Sequence, residues 1–224
     1  SNGTLVVNGS VTGPVVVRAG ATLGGNGSVS GIVNVQPGGS IGAGTSIGKL
    51  TLGSSPVLGG TVVVELNRNS GQFTNDLIDV GSNPLTFGGT LLVTNMGAGL
   101  QVNDSFKFFN SSSGYSGTFF VISRTPGQYV VWNTSNLTVN GTIRVAAVGP
   151  PLPTQPTNIV ISISNNLTNL SWPSNYTGWM LQSNGVGLSS TGSWFYVPGA
   201  DLTNRLIQPI SKSRTNVFFR MNLP

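Results

Sequence analysis

Five carboxylates carry all the acid chemistry open to this chain: Glu65, Asp76, Asp79, Asp104 and Asp201. Asp76 and Asp79 fall in the run Phe73-Thr-Asn-Asp-Leu-Ile-Asp-Val80. A stacked β architecture could set Glu65 beside either of them, and two carboxylates across a glycosidic bond would make a glycan-cleaving enzyme. The plainer placement has Asp76 ending a turn and Asp79 facing solvent from a strand. Asn75, Asp76 and Asp79 offer oxygen ligands to calcium, but no Gly-Gly-x-Gly-x-Asp repeat accompanies them. The chain has no histidine and no cysteine. That excludes nucleophile–histidine catalysis, thiolate metal sites and disulfides. The sequence therefore predicts no enzyme, no metal and no cofactor. Trp179 and Trp194, with Tyr176 and Tyr196, could form a sugar-stacking platform. Together with Trp172, these tryptophans also lie within strand patterns, where a ring packs in the core and its N–H reaches a backbone carbonyl.

The elements that would position such residues announce themselves by repetition. Gly3-Thr-Leu-Val-Val-Asn-Gly-Ser-Val11 is followed by Gly13-Pro-Val-Val-Val-Arg-Ala-Gly-Ala-Thr-Leu23 and by Gly31-Ile-Val-Asn-Val-Gln-Pro-Gly-Gly-Ser-Ile41. Each copy is a glycine, a β-branched run, a polar turn and one aliphatic residue. The step from Val15 to Val33 fits one coil of a small β-solenoid, whose apolar face must stack on neighbouring copies. Further strands follow through Gly141-Thr-Ile-Arg-Val-Ala-Ala147, becoming aromatic at Ser105-Phe-Lys-Phe-Phe109 and Gly117-Thr-Phe-Phe-Val-Ile122. Along Gly60-Thr-Val-Val-Val-Glu-Leu66, Val62, Val64 and Leu66 should face one side, with Thr61, Val63 and Glu65 on the other. The larger side chains imply a thicker core that closes one end of the stack. Gly24-Gly-Asn-Gly27 and Gly38-Gly-Ser-Ile-Gly-Ala-Gly44 lack the ending of a phosphate loop and read as coil corners. The Asn-x-Ser/Thr triplets, among them those at Asn8 and Asn26, read as turn chemistry.

Only 7% of residues are charged, and ten basic against five acidic side chains give a net charge of +5. The basic residues are scattered, with only Lys212 and Arg214 near neighbours, so no stripe of phosphate contacts and no nucleic-acid partner is expected. No apolar run is long enough for a membrane span. No basic start followed by an apolar segment is present, so no signal peptide is visible. The chain opens inside a repeat at Gly3, as a mature product or an excised fragment would.

Four prolines follow in Pro150-Pro-Leu-Pro-Thr-Gln-Pro156. Proline favours extended backbone without donors, so residues 149–156 read as a semi-rigid linker. The predicted domains are a repeat region at 1–148 and a small domain at 157–224. Six short strands in the latter, at regular spacing, suggest a β-sandwich.

The run from Gly13 to Val29, with Gly42-Ala-Gly-Thr-Ser-Ile-Gly-Lys-Leu after it, resembles the autotransporter-associated β-strand repeat of large secreted bacterial surface proteins. Gly117-Thr-Phe, Trp132-Asn-Thr-Ser-Asn-Leu137 and Gly141-Thr-Ile-Arg-Val145 are similar to its closing pattern. Leu170-Ser-Trp-Pro173, Gly178-Trp-Met-Leu-Gln-Ser-Asn184, Trp194 and Phe218-Phe-Arg220 resemble small C-terminal β domains of secreted Verrucomicrobia and Planctomycetes proteins. The resemblance implies an extracellular or cell-surface location. The expectation is an all-β chain: a short β-solenoid followed by a small β-sandwich. Its predicted role is structural, as a self-assembling subunit of a surface filament. Leu5, Val6, Val7 and Val11 would bury against the next copy in a head-to-tail homopolymer. The alternative is an adhesin or carbohydrate-binding fragment of a larger passenger, meeting a glycan or a host surface through Trp179 and Trp194. A glycan-cleaving enzyme is the third reading.

Overall fold

A computed structural model describes residues 3–69, 72–124, 128–149, 152–188, 194–210 and 216–223. The protein is all-β, and its chain divides into two units: residues 1–125 with 130–148, and residues 126–129 with 149–224.

In the first unit the chain returns again and again to the same three ladders. One is built from Gly3–Val6, Ala21–Gly24, Ser40–Gly42, Thr61–Asn69, Thr90–Asn95 and Phe120–Arg124, each parallel to the last. A second stacks Ser10–Val11, Ser28–Val29, Lys49–Leu52, Leu77–Asp79 and Phe109–Asn110, also parallel. A third joins Val15–Val17, Val33–Val35 and Val57–Leu58, with Leu85–Phe87 and Tyr115–Gly117 paired separately. Register puts like on like. Leu5 stands beside Leu23, Leu23 beside Ile41, Ile41 beside Val62, Val62 beside Leu91 and Leu91 beside Val121. The sequence repeat thus becomes a stack of inward aliphatic side chains, and Leu23, Ile41, Val62 and Leu91 are fully buried. Val62, Val64 and Leu66 all point into this core, as the alternation predicts.

Later turns are longer and filled by rings. Phe87 packs on Phe109 and Phe119 with centroids 5.0 Å away in each case, and Tyr115 stacks on Phe87 at 5.8 Å. The stretch from Ser105 to Phe109 is not one strand. Ser105–Lys107 pairs antiparallel with Thr142–Val148, whereas Phe109–Asn110 joins the second parallel ladder. A straight strand would expose Phe108 or Phe109, because neighbours face opposite ways. The break at Phe108, whose N–H donates to the Gly141 carbonyl, lets Phe106, Phe108 and Phe109 all be buried. A single helical turn, Leu137–Asn140, was not expected from sequence. Gly141 closes it at φ 77°, the left-handed conformation that glycine adopts without penalty. Leu137, Ile143, Val145 and Val130 complete the core at this end.

The second unit contains two three-stranded antiparallel sheets. One orders Val160–Ser164, Leu167–Ser171 and Arg205–Pro209; the other orders Phe195–Tyr196, Met180–Asn184 and Phe218–Asn222. Leu170, Trp172, Leu181 and Ala200 form its core, with Phe219, Met221 and Val197 packed against them. The proline-rich stretch is not a free spacer where it is described. Leu152 is buried, Trp179 Nε1 donates to the Pro153 carbonyl at 3.0 Å, and the Tyr176 hydroxyl donates to the Gln155 carbonyl at 3.0 Å. Proline's missing donors do not prevent its neighbours' carbonyls from serving as acceptors. Pro150 and Pro151 lie outside the described residues, as do Lys212 and Arg214. No helix among the described residues is long and apolar enough to cross a membrane.

Candidate functional site

One edge of the parallel ladders is open among the described residues. Gly3–Val6, Ser10–Val11 and Val15–Val17 each pair with a strand on one side only among the described residues. Leu5 occupies an inward position of its ladder yet is 47% exposed, while its partner Leu23 is fully buried. Beside it lies a concavity of about 330 Å³ lined by Leu5, Val15, Val17, Ala21 and Leu23. The four residues named from sequence as an interface part company here. Leu5 and Val6 are exposed and Val11 is half-buried. Val7 is 4% exposed and belongs to the chain's own core, which corrects its assignment to an interface. Its N–H donates to the Gly24 carbonyl and its carbonyl accepts from Gly27, so the second coil already covers it.

The corners of the coils carry a ladder of side-chain oxygens. Asn8 Oδ1 accepts the Asn26 N–H at 3.2 Å, and Asn26 Oδ1 accepts the Lys49 N–H at 3.1 Å. Asp76 Oδ1 accepts the Gly48 N–H at 2.8 Å, and its Oδ2 accepts the Glu65 N–H at 2.7 Å. These groups satisfy backbone donors where the chain leaves one ladder for the next. Asparagines that read as turn formers therefore also bond between successive coils.

The same geometry bears on the carboxylates. Asp76 does lie beside Glu65, but through the Glu65 backbone, and it is 1% exposed. Burial pushes its carboxyl up to about 7 against the pull of its two backbone donors, and the Glu65 charge adds to the rise. Asp79 stands on the second ladder. Lys49 Nζ is 2.6 Å from its Oδ2, and Asn110 and the Gly81 N–H bond its Oδ1. Burial works to raise Asp79, but these bonds outweigh it and hold the carboxyl at about 2. Asp104 pairs with Arg68 at 2.8 Å and accepts the Gln101 N–H. In the second unit, burial raises Asp201. Asn75 spends its amide on the Asp76 and Lys107 carbonyls. No group of three potential metal ligands occurs among the described residues. Asp76, Asp79 and Asp104 thus have structural tasks, whereas Glu65 Oε2 and Asp201 Oδ1 are buried without a hydrogen-bond partner among the described residues. Lys49 is half-exposed, so Lys49→Ala should cost only about 0.5–1 kcal/mol in urea unfolding.

The tryptophans also separate. Trp172 and Trp179 are buried; Trp179 meets Tyr176 edge-on at 5.3 Å and spends its N–H on Pro153. A ring 4% exposed has no face for a sugar, which corrects the platform assignment of Trp179. Trp172 Nε1 finds no hydrogen-bond partner among the described residues, unlike Trp179. Trp194 is half-buried, with the Arg220 guanidinium 4.2 Å above its ring centre. Sequence reasoning missed Arg220 as a partner because the two residues meet only through sheet pairing.

No protein-family model matches the chain, and no curated protein is similar to it.

Proposed function

We propose that this chain is an extracellular structural protein whose first unit is a short β-solenoid and whose second is a small β-sandwich. It works by adding a β-strand coil to its open edge. The observation that carries this reading is Leu5: an inward rung left half-exposed over an apolar concavity, in a ladder whose rungs from Leu23 to Leu91 are fully buried. Covering Leu5 and its neighbours is worth about 1.5–3 kcal/mol per aliphatic side chain. Pairing the unpaired donors and acceptors of three strands adds to it. The structural tasks of Asp76, Asp79 and Asp104 support a role without catalysis. The extracellular setting rests on the resemblance to autotransporter-associated repeats.

At the other end Leu137, Ile143 and Val145 belong to the buried core, and Phe109–Asn110, Tyr115–Gly117 and Phe120–Arg124 also pair on one side only among the described residues, with Val121 half-buried. Self-association through these open strands would cover Leu5 with a second chain, in a pair or in a head-to-tail stack. Sedimentation velocity and electron microscopy across a wide concentration range test this. The wild-type chain should self-associate, and Leu5→Lys should stay monomeric with its unfolding midpoint little changed, because that side chain is exposed in the single chain. A wild-type protein that remains monomeric at the highest concentration overturns the self-stacking reading and favours a fragment of a larger passenger.

A further inference from the structure

We propose that Arg220 and Trp194 form the centre of a binding site for an acidic saccharide, a polymer bearing uronate carboxylates. The site lies on the face of the second unit's sheet that points away from its core. Leu181, Phe219 and Met221 point into that core. Their alternate neighbours must point the other way. Gln182 is in direct register with both Tyr196 and Arg220, so the three side chains form one cross-strand row, and Met180 with Asn222 forms the next. Met180, Gln182 and Asn184 are 1%, 5% and 1% exposed although they face away from the core, so the middle strand of this face is covered and the face is open only at its flank, where Arg220 is exposed and Trp194 half-buried.

The guanidinium in this row is fixed in place. Arg220 Nε donates to Gln182 Oε1 at 2.7 Å, and its plane sits over the Trp194 ring. Arginine cannot lose its charge, and stacking plus a held Nε leaves the two Nη groups as a fork preorganised for a carboxylate. No described residue accepts a hydrogen bond from those Nη groups, and neither ion pair among the described residues involves Arg220. The charge balance of the second unit's sequence favours an anion. The second unit carries Arg205, Lys212, Arg214 and Arg220 against the single acid Asp201. Beside the fork lies the half-buried Trp194 indole, and the Asn222 amide stands two residues along the same strand from Arg220. A bare phosphate or sulfate would use the fork alone. A pyranose carboxylate uses the fork, the amide and the ring together. The site is independent of the open coil and of what covers it.

Calorimetric titration of the purified full chain with polygalacturonate, at fixed ionic strength, tests the assignment. Binding is expected, and the fully methyl-esterified polymer should not bind. Arg220→Gln should weaken binding by about tenfold or more, the loss of a charge-assisted pair. Arg220→Lys should also weaken it, since charge without the fork is retained. Arg205→Gln, which removes another exposed charge of the same unit, should stay within about twofold if recognition is local. Should Arg220→Gln fail to fold, Arg220→Lys and Trp194→Phe serve in its place. No binding by the wild type overturns the proposal, as does an equal effect of Arg205→Gln and Arg220→Gln. So does inorganic sulfate competing as well as free galacturonate, which would leave an oxyanion site without a sugar.

Discussion

Gly89→Ala is expected to unfold the first unit, with a loss of about 3 kcal/mol or more. Gly89 sits at φ +69°, where the chain passes from Leu85–Phe87 to Thr90–Asn95. The left-handed conformation alone costs an L-residue roughly 1–2 kcal/mol. A Cβ there would also run into the carbonyl oxygen of Gly60 on the preceding coil, and into the Gly59 backbone at 3.0 Å. That Gly60 oxygen accepts the Thr90 N–H at 3.0 Å, so moving it breaks the bond that starts the next rung. Neither obstacle is a flexible side chain. Gly9→Ala is the matched control: nothing lies within 4 Å of its Cβ, and the change should stay within about 0.5 kcal/mol. Urea unfolding followed by far-ultraviolet circular dichroism reads both. A loss below about 1 kcal/mol for Gly89→Ala would mean that the coil-to-coil approach is looser than the geometry has it.

This pair of glycines marks how far the sequence could be read. Glycine spacing and β-branched runs were enough to find the repeat, because register depends on a period of two and a fixed coil length. The inward rungs from Leu23 to Leu91 follow from it. The residues cannot say which glycine meets backbone and which meets water, since that depends on the coil above. The aromatic run from Ser105 to Phe109 failed for a related reason. Local alternation describes one strand, whereas two different sheets compete for the segment and all three phenylalanines win burial. Leu137–Asn140 escaped notice because one helical turn carries no periodicity, only the closing Gly141. In the second unit the strands lie within a few residues of their expected places. The row of Tyr196, Gln182 and Arg220 was invisible, since it joins positions brought together by antiparallel register alone. The open edge shows the same limit: Leu5, Val6 and Val7 are adjacent and chemically alike, yet the second coil buries only the last.

Asp76→Asn should remove a pH dependence that the wild type shows between about pH 4 and pH 7. The carboxyl ordinarily titrates near 3.8, and burial raises it to about 7 in the folded chain. Between those values the native state holds a proton that the unfolded chain has lost. Stability therefore falls as pH rises through this window and levels off above it. A rise of that size corresponds to a swing of roughly 4 kcal/mol. Asp79 works in the opposite sense and elsewhere. With its carboxyl at about 2, its contribution is complete above pH 4 and is lost only as pH falls towards 2. Asparagine at position 76 keeps one acceptor for two backbone donors, those of Gly48 and Glu65. It should cost about 1–3 kcal/mol at pH 4, where the wild-type carboxyl is already neutral when folded. At pH 8 that deficit should shrink or reverse, because the variant no longer confines a charge in a buried corner beside Glu65. Urea midpoints for both proteins at half-unit pH intervals give the difference directly, and subtraction cancels Asp79, Asp201 and the other groups not coupled to Asp76, leaving Asp76 with its neighbour Glu65. A difference that stays constant from pH 4 to pH 8 would show that Asp76 is ionised throughout. Its two N–H donors would then outweigh the burial, and the corner ladder would hold a charged rung rather than a neutral one.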